Sequence, residues 1–290
     1  HYPLRRQRQM CIRDSINSKT KVASKIKTNG VYLITGGLGE LGMVFAKHLL
    51  EKYNTSLILT GRTAVSKTDE DQTKYNRLQT LLEKGNVAYF KANAANKEEM
   101  QTAVEKGVAI FGDVQGIIHT AGVVHGKSVR RGIHLLKTAE SEMQFEAKVN
   151  GVEVLADIFK DQAIDFCVFS SSLATVIGGK EFAAYASANA YMDYVANAQL
   201  IKNAVSLNFD GLDFGDETEE LVLDETEMAT VLEYALSTLA TPQLVISVGD
   251  LHKRIEKWTL PKVVVEAEET TEKAASKIHE VNRSYLSTPY

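Results

Sequence analysis

The chain has 290 residues, 44% hydrophobic and 24% charged, the balance of a globular protein with enough apolar material for a sizeable core in one domain, or one domain plus tails. A net charge of -4, without any Lys/Arg-lined helix face, argues against nucleic acid or anionic lipid as a partner. No apolar run approaches the roughly 18 residues of a membrane span, and Cys11 and Cys167 cannot build a secreted disulfide framework, so the cytoplasm is the expected compartment.

The first fifteen residues, HYPLRRQRQMCIRDS, carry four arginines and neither an apolar period nor a cleavage-like site. The string RRQRQMCIRDS resembles translated sequencing-adapter read-through, and residues 1–27 are expected to be a leader outside the domain. Residues 28–260 are expected to form the domain, and from 31 to 250 short β-branched runs alternate with longer helical patterns. VYLI (31–34), LILT (57–60), VAYF (87–90), GIIH (116–119), FCVF (166–169), VSLNF (205–209) and LVIS (244–247) read as strands. Each is brief, apolar on both faces and followed by a turn or helix start, as in a parallel sheet covered on both sides. Between them, Leu41, Val44, Phe45, His48 and Leu49 mark one helical stripe, and Phe145, Val149, Val152, Leu155 and Phe159 another. The expected fold is therefore α/β, a Rossmann-like doubly wound, mainly seven-stranded parallel sheet with helices on both faces. Residues 261–290 turn rich in Glu, Lys, Thr and Ser and read as a solvated linker.

At the turn out of the first strand, VYLITGGLGELG places Gly36, Gly37, Leu38, Gly39 and Gly42. Glycines let backbone approach a pyrophosphate closely, and the following helix N-terminus presents oriented N–H groups to its charge. The second strand ends LILTGRT: Arg62 stands where an NAD site usually has a carboxylate, and a guanidinium suits a 2'-phosphate, so NADPH is favoured. Asn93 follows the third strand, within reach of adenine edges. HTAG, with Ala121 and Gly122, ends the fourth strand in a small turn that can pass under the cofactor.

Ser172, at the end of the fifth strand, precedes Tyr185 by thirteen residues in a small, apolar segment. Reduction of a carbonyl needs a proton delivered to its oxygen, and a tyrosine with a nearby ammonium is a donor whose pKa is drawn down from about 10. Ser172 can hydrogen-bond the same carbonyl. Asn189 lies one turn beyond Tyr185, and Lys148 on the preceding helix has the reach to meet both cofactor and tyrosine. Neither the histidines nor the cysteines show metal-ligand spacing, and His125 reads as an exposed loop residue.

FEAKVNGVEVL, FCVFSSSLATVIGG and AAYASANAYMDYVA resemble the ketoreductase domain of modular polyketide synthases, a branch of the short-chain dehydrogenase/reductase superfamily. Most of that superfamily has its lysine four residues after the tyrosine. Asn189 holds that place here, and the lysine lies earlier at Lys148, the exchanged arrangement of synthase ketoreductases. The resemblance implies reduction of a β-ketoacyl thioester, on the phosphopantetheine arm of a carrier protein, to the β-hydroxyacyl thioester, within polyketide or hybrid polyketide/nonribosomal peptide synthesis. It further implies that Tyr185 gives the proton, Ser172 orients the carbonyl, Lys148 lowers the tyrosine pKa and holds the ribose, and Asn189 supports the lysine. HEVNRSYLSTPY (279–290) resembles the linker from such a domain into a carrier, so other synthase domains are expected partners and the chain reads as a fragment of a larger multienzyme.

The sequence departs from the family in three places. The Leu-Asp-Asp that marks one alcohol stereochemistry is replaced by Val124, His125 and Gly126, and Ile177 stands eight residues before Tyr185 where the other type often has tryptophan; the lean is to the L-hydroxy product. Asn93 replaces the usual aspartate. Two alternatives stand beside this reading: a free-standing reductase of small carbonyl compounds, and a nonreducing structural or epimerising domain.

Overall fold

A computed structural model describes residues 23–68, 72–214, 222–237 and 241–259. The expected linker over 261–290 and the adapter-like string lie outside the described residues. The elements run β1 (Val31–Thr35), α1 (Glu40–Tyr53), β2 (Ser56–Gly61), α2 (Thr73–Leu82), β3 (Asn86–Lys91), α3 (Lys97–Phe111) and β4 (Gly116–His119). A short 3-10 turn (Ile133–Leu135) leads into α4 (Thr138–Phe145), a π-helical turn (Glu146–Asn150) and α5 (Gly151–Phe159). Then come β5 (Phe166–Ser172), α6 (Ala174–Ile177), α7 (Ala183–Asn197), β6 (Ala204–Phe209), β7 (Gly211–Leu212), β8 (Val222–Leu223), α8 (Glu225–Ser237), β9 (Gln243–Val245) and α9 (Leu251–Thr259).

Seven strands form one sheet in the order β3-β2-β1-β4-β5-β6-β9, every neighbour parallel. All seven expected strands are present; the last is shorter than LVIS suggested, although Ile246 still donates its N–H to Asn208 O at 3.0 Å. Side chains alternate across the sheet, which explains why the strands read as apolar throughout. Tyr32, Ile34, Leu57, Leu59 and Val168 face a core shared with α1 and α8, while Val31, Leu33, Ile58, Cys167 and Phe169 face one shared with α3, α5 and α7.

Residues just before the expected boundary at 28 pack against the domain. Ile26 is buried, Lys25 N–H donates to Leu236 O, and Lys27 pairs with Asp165 at 2.6 Å. One isoleucine between lysines has no periodicity, so only its packing reveals that it belongs to the core. The order of strands reverses between β1 and β4, which opens a crevice at their C-terminal ends. Every expected site residue lies on an element or turn bordering that crevice.

Candidate active site

Gly36 adopts φ 70°, and a Cβ there would lie 2.9 Å from Ala121 Cα across the switch point. Glycine is thus required where the β1–α1 turn and the turn after β4 cross. Gly37 and Gly42 are also fixed by packing within this turn: their Cβ atoms would meet Leu59 Cδ2 at 2.8 Å and Gly36 O at 2.5 Å. Gly42→Ala is expected to destabilise the fold by about 1–3 kcal/mol, the usual range for overpacking, read as a lower midpoint in urea denaturation. No side chain caps α1 at Gly39, which leaves its first N–H groups directed at the cleft.

Gly36, Leu38, Gly39, Arg62, Asn93, Ala121 and Gly122, all expected to meet the cofactor, line one cleft. Thr63, Lys74, Tyr89 and Glu146 join them without having been foreseen. The Glu146 carboxylate accepts from Asn93 Nδ2 at 2.8 Å and lies 4.0 Å from the Arg62 guanidinium, which is itself 61% exposed. Asn93 Oδ1 accepts from Ala95 N at 3.1 Å. The Asn93 amide is therefore held by its own turn and by Glu146, through one of its two donors and one of its two acceptor sites. Lys74 donates to Thr63 Oγ1 at 2.6 Å; it sits in the polar helix α2, where nothing in the sequence distinguishes it from a surface lysine.

Beyond the switch point Ser172, Tyr185, Lys148 and Asn189 converge. Ser172 ends β5, where Asn208 Nδ2 donates to its carbonyl at 3.3 Å and Leu173 N–H donates to Phe209 O at 2.7 Å. Ser172 Oγ accepts from Ala174 N at 3.2 Å as α6 begins. The Ser172 side chain lies near enough to the Tyr185 phenol to act against the rise in its pKa. Lys148 is buried with Nζ 3.9 Å from the Tyr185 ring centroid, over the face of the ring. Gly122 makes room for it, since a Cβ there would lie 2.9 Å from Lys148 Cε. Asn189 Nδ2 donates to Tyr185 O along α7 at 2.7 Å, and its buried Oδ1 has no partner.

Burial acts on both groups. It raises the Tyr185 phenol above 10, against the lowering expected from Lys148, and the nearby Ser172 and Asn189 side chains offset only part of that rise. Lys148 responds in the opposite sense, because burial disfavours its charge and lowers its pKa to about 7. Lysine and phenol thus meet ring face to ammonium, both largely out of water. A second cleft of about 500 Å³ opens from Ser172 and Tyr185 between Phe182, Phe209, Leu212 and Phe214, with Val124, His125 and Ile177 on its other wall. His125 is 84% exposed there. Among the described residues no cluster of His, Cys, Asp and Glu is arranged to hold a metal, and no helix is long and apolar enough to cross a membrane.

The KR domain family matches residues 30–213. Over 169 residues the chain is 36% identical to polyketide synthase PksM of Bacillus subtilis, covering 58% of this chain and 4% of that protein. It is 30% identical over 209 residues to 6-methylsalicylic acid synthase of Penicillium patulum, covering 67% of this chain and 11% of the synthase. Among solved structures, a ketoreductase from the macrolactin assembly line aligns with TM-score 0.68 at 28% identity, over 82% of this chain and 48% of that one. A ketoreductase domain from the bacillaene assembly line aligns with TM-score 0.69 at 27% identity, over 83% and 60%. The chain thus spans a small part of the synthases it matches and about half of the solved ketoreductases. The chain belongs to the KR domain family, the ketoreductase domains of polyketide synthases within the short-chain dehydrogenase/reductase superfamily.

Proposed function

We propose that this domain uses NADPH to reduce the β-carbonyl of a β-ketoacyl thioester, held on the phosphopantetheine arm of a carrier protein, to the alcohol. Family membership makes it an oxidoreductase that acts on a ketone with a nicotinamide cofactor. The observation that carries the finer reading is the convergence of Ser172, Tyr185 and Lys148 where the glycine-lined cleft meets the apolar one. The cleft residues fit the cofactor: the Gly36 crossing leaves backbone bare, the uncapped α1 offers N–H groups to a pyrophosphate, and Arg62 is free enough to meet a 2'-phosphate. NADPH, when bound, supplies the hydride to the β-carbon. Ser172 holds the carbonyl oxygen by hydrogen bond, Tyr185 transfers its phenolic proton to that oxygen as the C–H bond forms, and the Lys148 ammonium stabilises the phenolate left behind. The wall of Phe182, Phe209, Leu212 and Phe214 accommodates an acyl chain and keeps water from the transfer.

The linker over 261–290, the carrier and the neighbouring synthase domains belong to the same proposal, as does a cytoplasmic setting. The test is oxidation of NADPH by the full chain with a β-ketoacyl N-acetylcysteamine thioester, followed by chiral analysis, with the L-hydroxy product expected. Equal turnover of a free small ketone would favour the free-standing reductase; a folded, NADPH-binding protein that reduces nothing would favour the nonreducing domain. Arg62→Ala is expected to raise the KM for NADPH about tenfold or more, the loss of one charge-assisted contact of about 1.5–3 kcal/mol, with NADH kinetics nearly unchanged.

A further inference from the structure

His119, the last residue of β4, is buried, and both ring nitrogens are engaged. Nε2 lies 3.0 Å from Ala147 O and Nδ1 lies 2.7 Å from Thr35 Oγ1. A carbonyl oxygen only accepts, so Nε2 carries the proton; in the neutral ring Nδ1 is then bare, and the Thr35 hydroxyl donates to it. Burial favours the neutral ring, lowering its pKa to about 4, so one tautomer holds throughout the neutral range. The hydrogen bonds therefore run in one direction, from the residue before the glycine turn, through the imidazole, to the carbonyl immediately before Lys148.

That carbonyl belongs to the π turn Glu146–Asn150. A π turn is an uncommon insertion that persists where its surroundings hold it. Here the end of the turn packs on the same imidazole: a Cβ at Gly151 would lie 3.4 Å from His119 Cε1 and 3.2 Å from Ala94 Cβ. Phe169 of β5 meets the ring edge-on at 6.3 Å. The register matters because one residue more or less rotates an α-helix by about 100°. The apolar spacing of the sequence places Phe145 and Val149 on the inner stripe, yet the structure buries Gln144 and Lys148 and leaves Phe145 and Val149 half-buried.

We propose that His119 is a positioning residue for Lys148: by donating to the Ala147 carbonyl, in the tautomer set by Thr35, it holds the π turn in the register that brings the lysine, rather than Val149, onto Tyr185. The inference deepens the ketoreductase reading and rests on it for the role of Lys148, but its test is independent of turnover. In the full chain labelled with ε-¹³C lysine, Lys148, whose Nζ lies 3.9 Å from the Tyr185 ring centroid, is expected to give an upfield, ring-current-shifted signal, assigned by its loss in Lys148→Met. His119→Leu is expected to return that signal to the position of a solvated lysine, and His119→Gln, which keeps an N–H donor and an oxygen acceptor, to retain most of the shift. Where the wild type turns over, kcat falls tenfold or more in His119→Leu with KM within about twofold, and His119→Gln recovers most of the loss. An unmoved Lys148 signal in folded His119→Leu overturns the proposal, as does a His119→Gln signal displaced as far as that of His119→Leu. If His119→Leu does not fold, Thr35→Val decides: a displaced Lys148 signal supports the assignment and an unmoved one overturns it. A wild type with a shifted Lys148 signal and no reductase activity would count against the ketoreductase reading and not against the role of His119.

Discussion

Tyr185→Phe is expected to lower kcat by about 10²–10⁴, the range for loss of a positioned general acid, while the Kd for NADPH stays within about twofold. The substitution removes only the hydroxyl. Phenylalanine keeps the ring beneath Lys148, whose Nζ lies 3.9 Å from the centroid, and Ser172 keeps its carbonyl bond from Asn208 while the next residue, Leu173, keeps its N–H on Phe209 O. A phenol held above 10 by burial is protonated throughout the neutral range, the form a proton donor requires. The stabilising ammonium titrates sooner, near 7, so turnover in the wild type is expected to fall as pH rises above neutrality. Single-turnover kinetics with a β-ketoacyl thioester, alongside nicotinamide fluorescence for cofactor binding, measures both quantities. Turnover preserved in the variant would remove Tyr185 as the proton source.

Lys148→Met is expected to separate activity from stability, lowering kcat at least a hundredfold while stabilising the fold at neutral pH. The buried lysine has its pKa lowered from 10.5 to about 7. Between those values the unfolded chain binds a proton that the folded chain does not, so wild-type stability rises with pH across that window. At about 1.4 kcal/mol per pKa unit, the advantage of Lys148→Met should shrink by about 3 kcal/mol between pH ~6.5 and pH ~9.5. Urea denaturation of both proteins at the two pH values measures the change, and other titrations common to both cancel in the comparison. A gap independent of pH would show that Lys148 is charged in the folded protein, with its burial offset by a partner. A fold that tolerates a destabilised lysine for the sake of its site accords with the usual trade between stability and activity.

Much of the site was legible because its signals are local. The strand runs are apolar on both faces, so each could be read without knowing its neighbours. The glycine turn lies within one βα unit. Tyr185 and Asn189 are one helical turn apart, and Ser172 ends the strand just before them, so a short segment carries their relation. The resemblance to synthase ketoreductases gave Lys148 its role beside Tyr185, because their distance along the chain hides their contact.

What the sequence by itself determined, then, is the seven-stranded parallel sheet, the glycine-rich turn and the segment from Ser172 through Tyr185 to Asn189, all products of short-range period and spacing. Only the tertiary structure decided how those side chains face one another. The π turn shifts the inner stripe from Phe145 and Val149 to Gln144 and Lys148, and the apolar spacing misplaces them because hydrophobic period assumes an uninterrupted helix. Glu146 comes to sit between Arg62 and Asn93, so a carboxylate enters the cofactor cleft from an element far along the chain. Burial raises the phenol and lowers the lysine, reversing the simple expectation for their pair. Each of these depends on groups distant in sequence being packed out of water together, where desolvation and directional hydrogen bonds outweigh local preference.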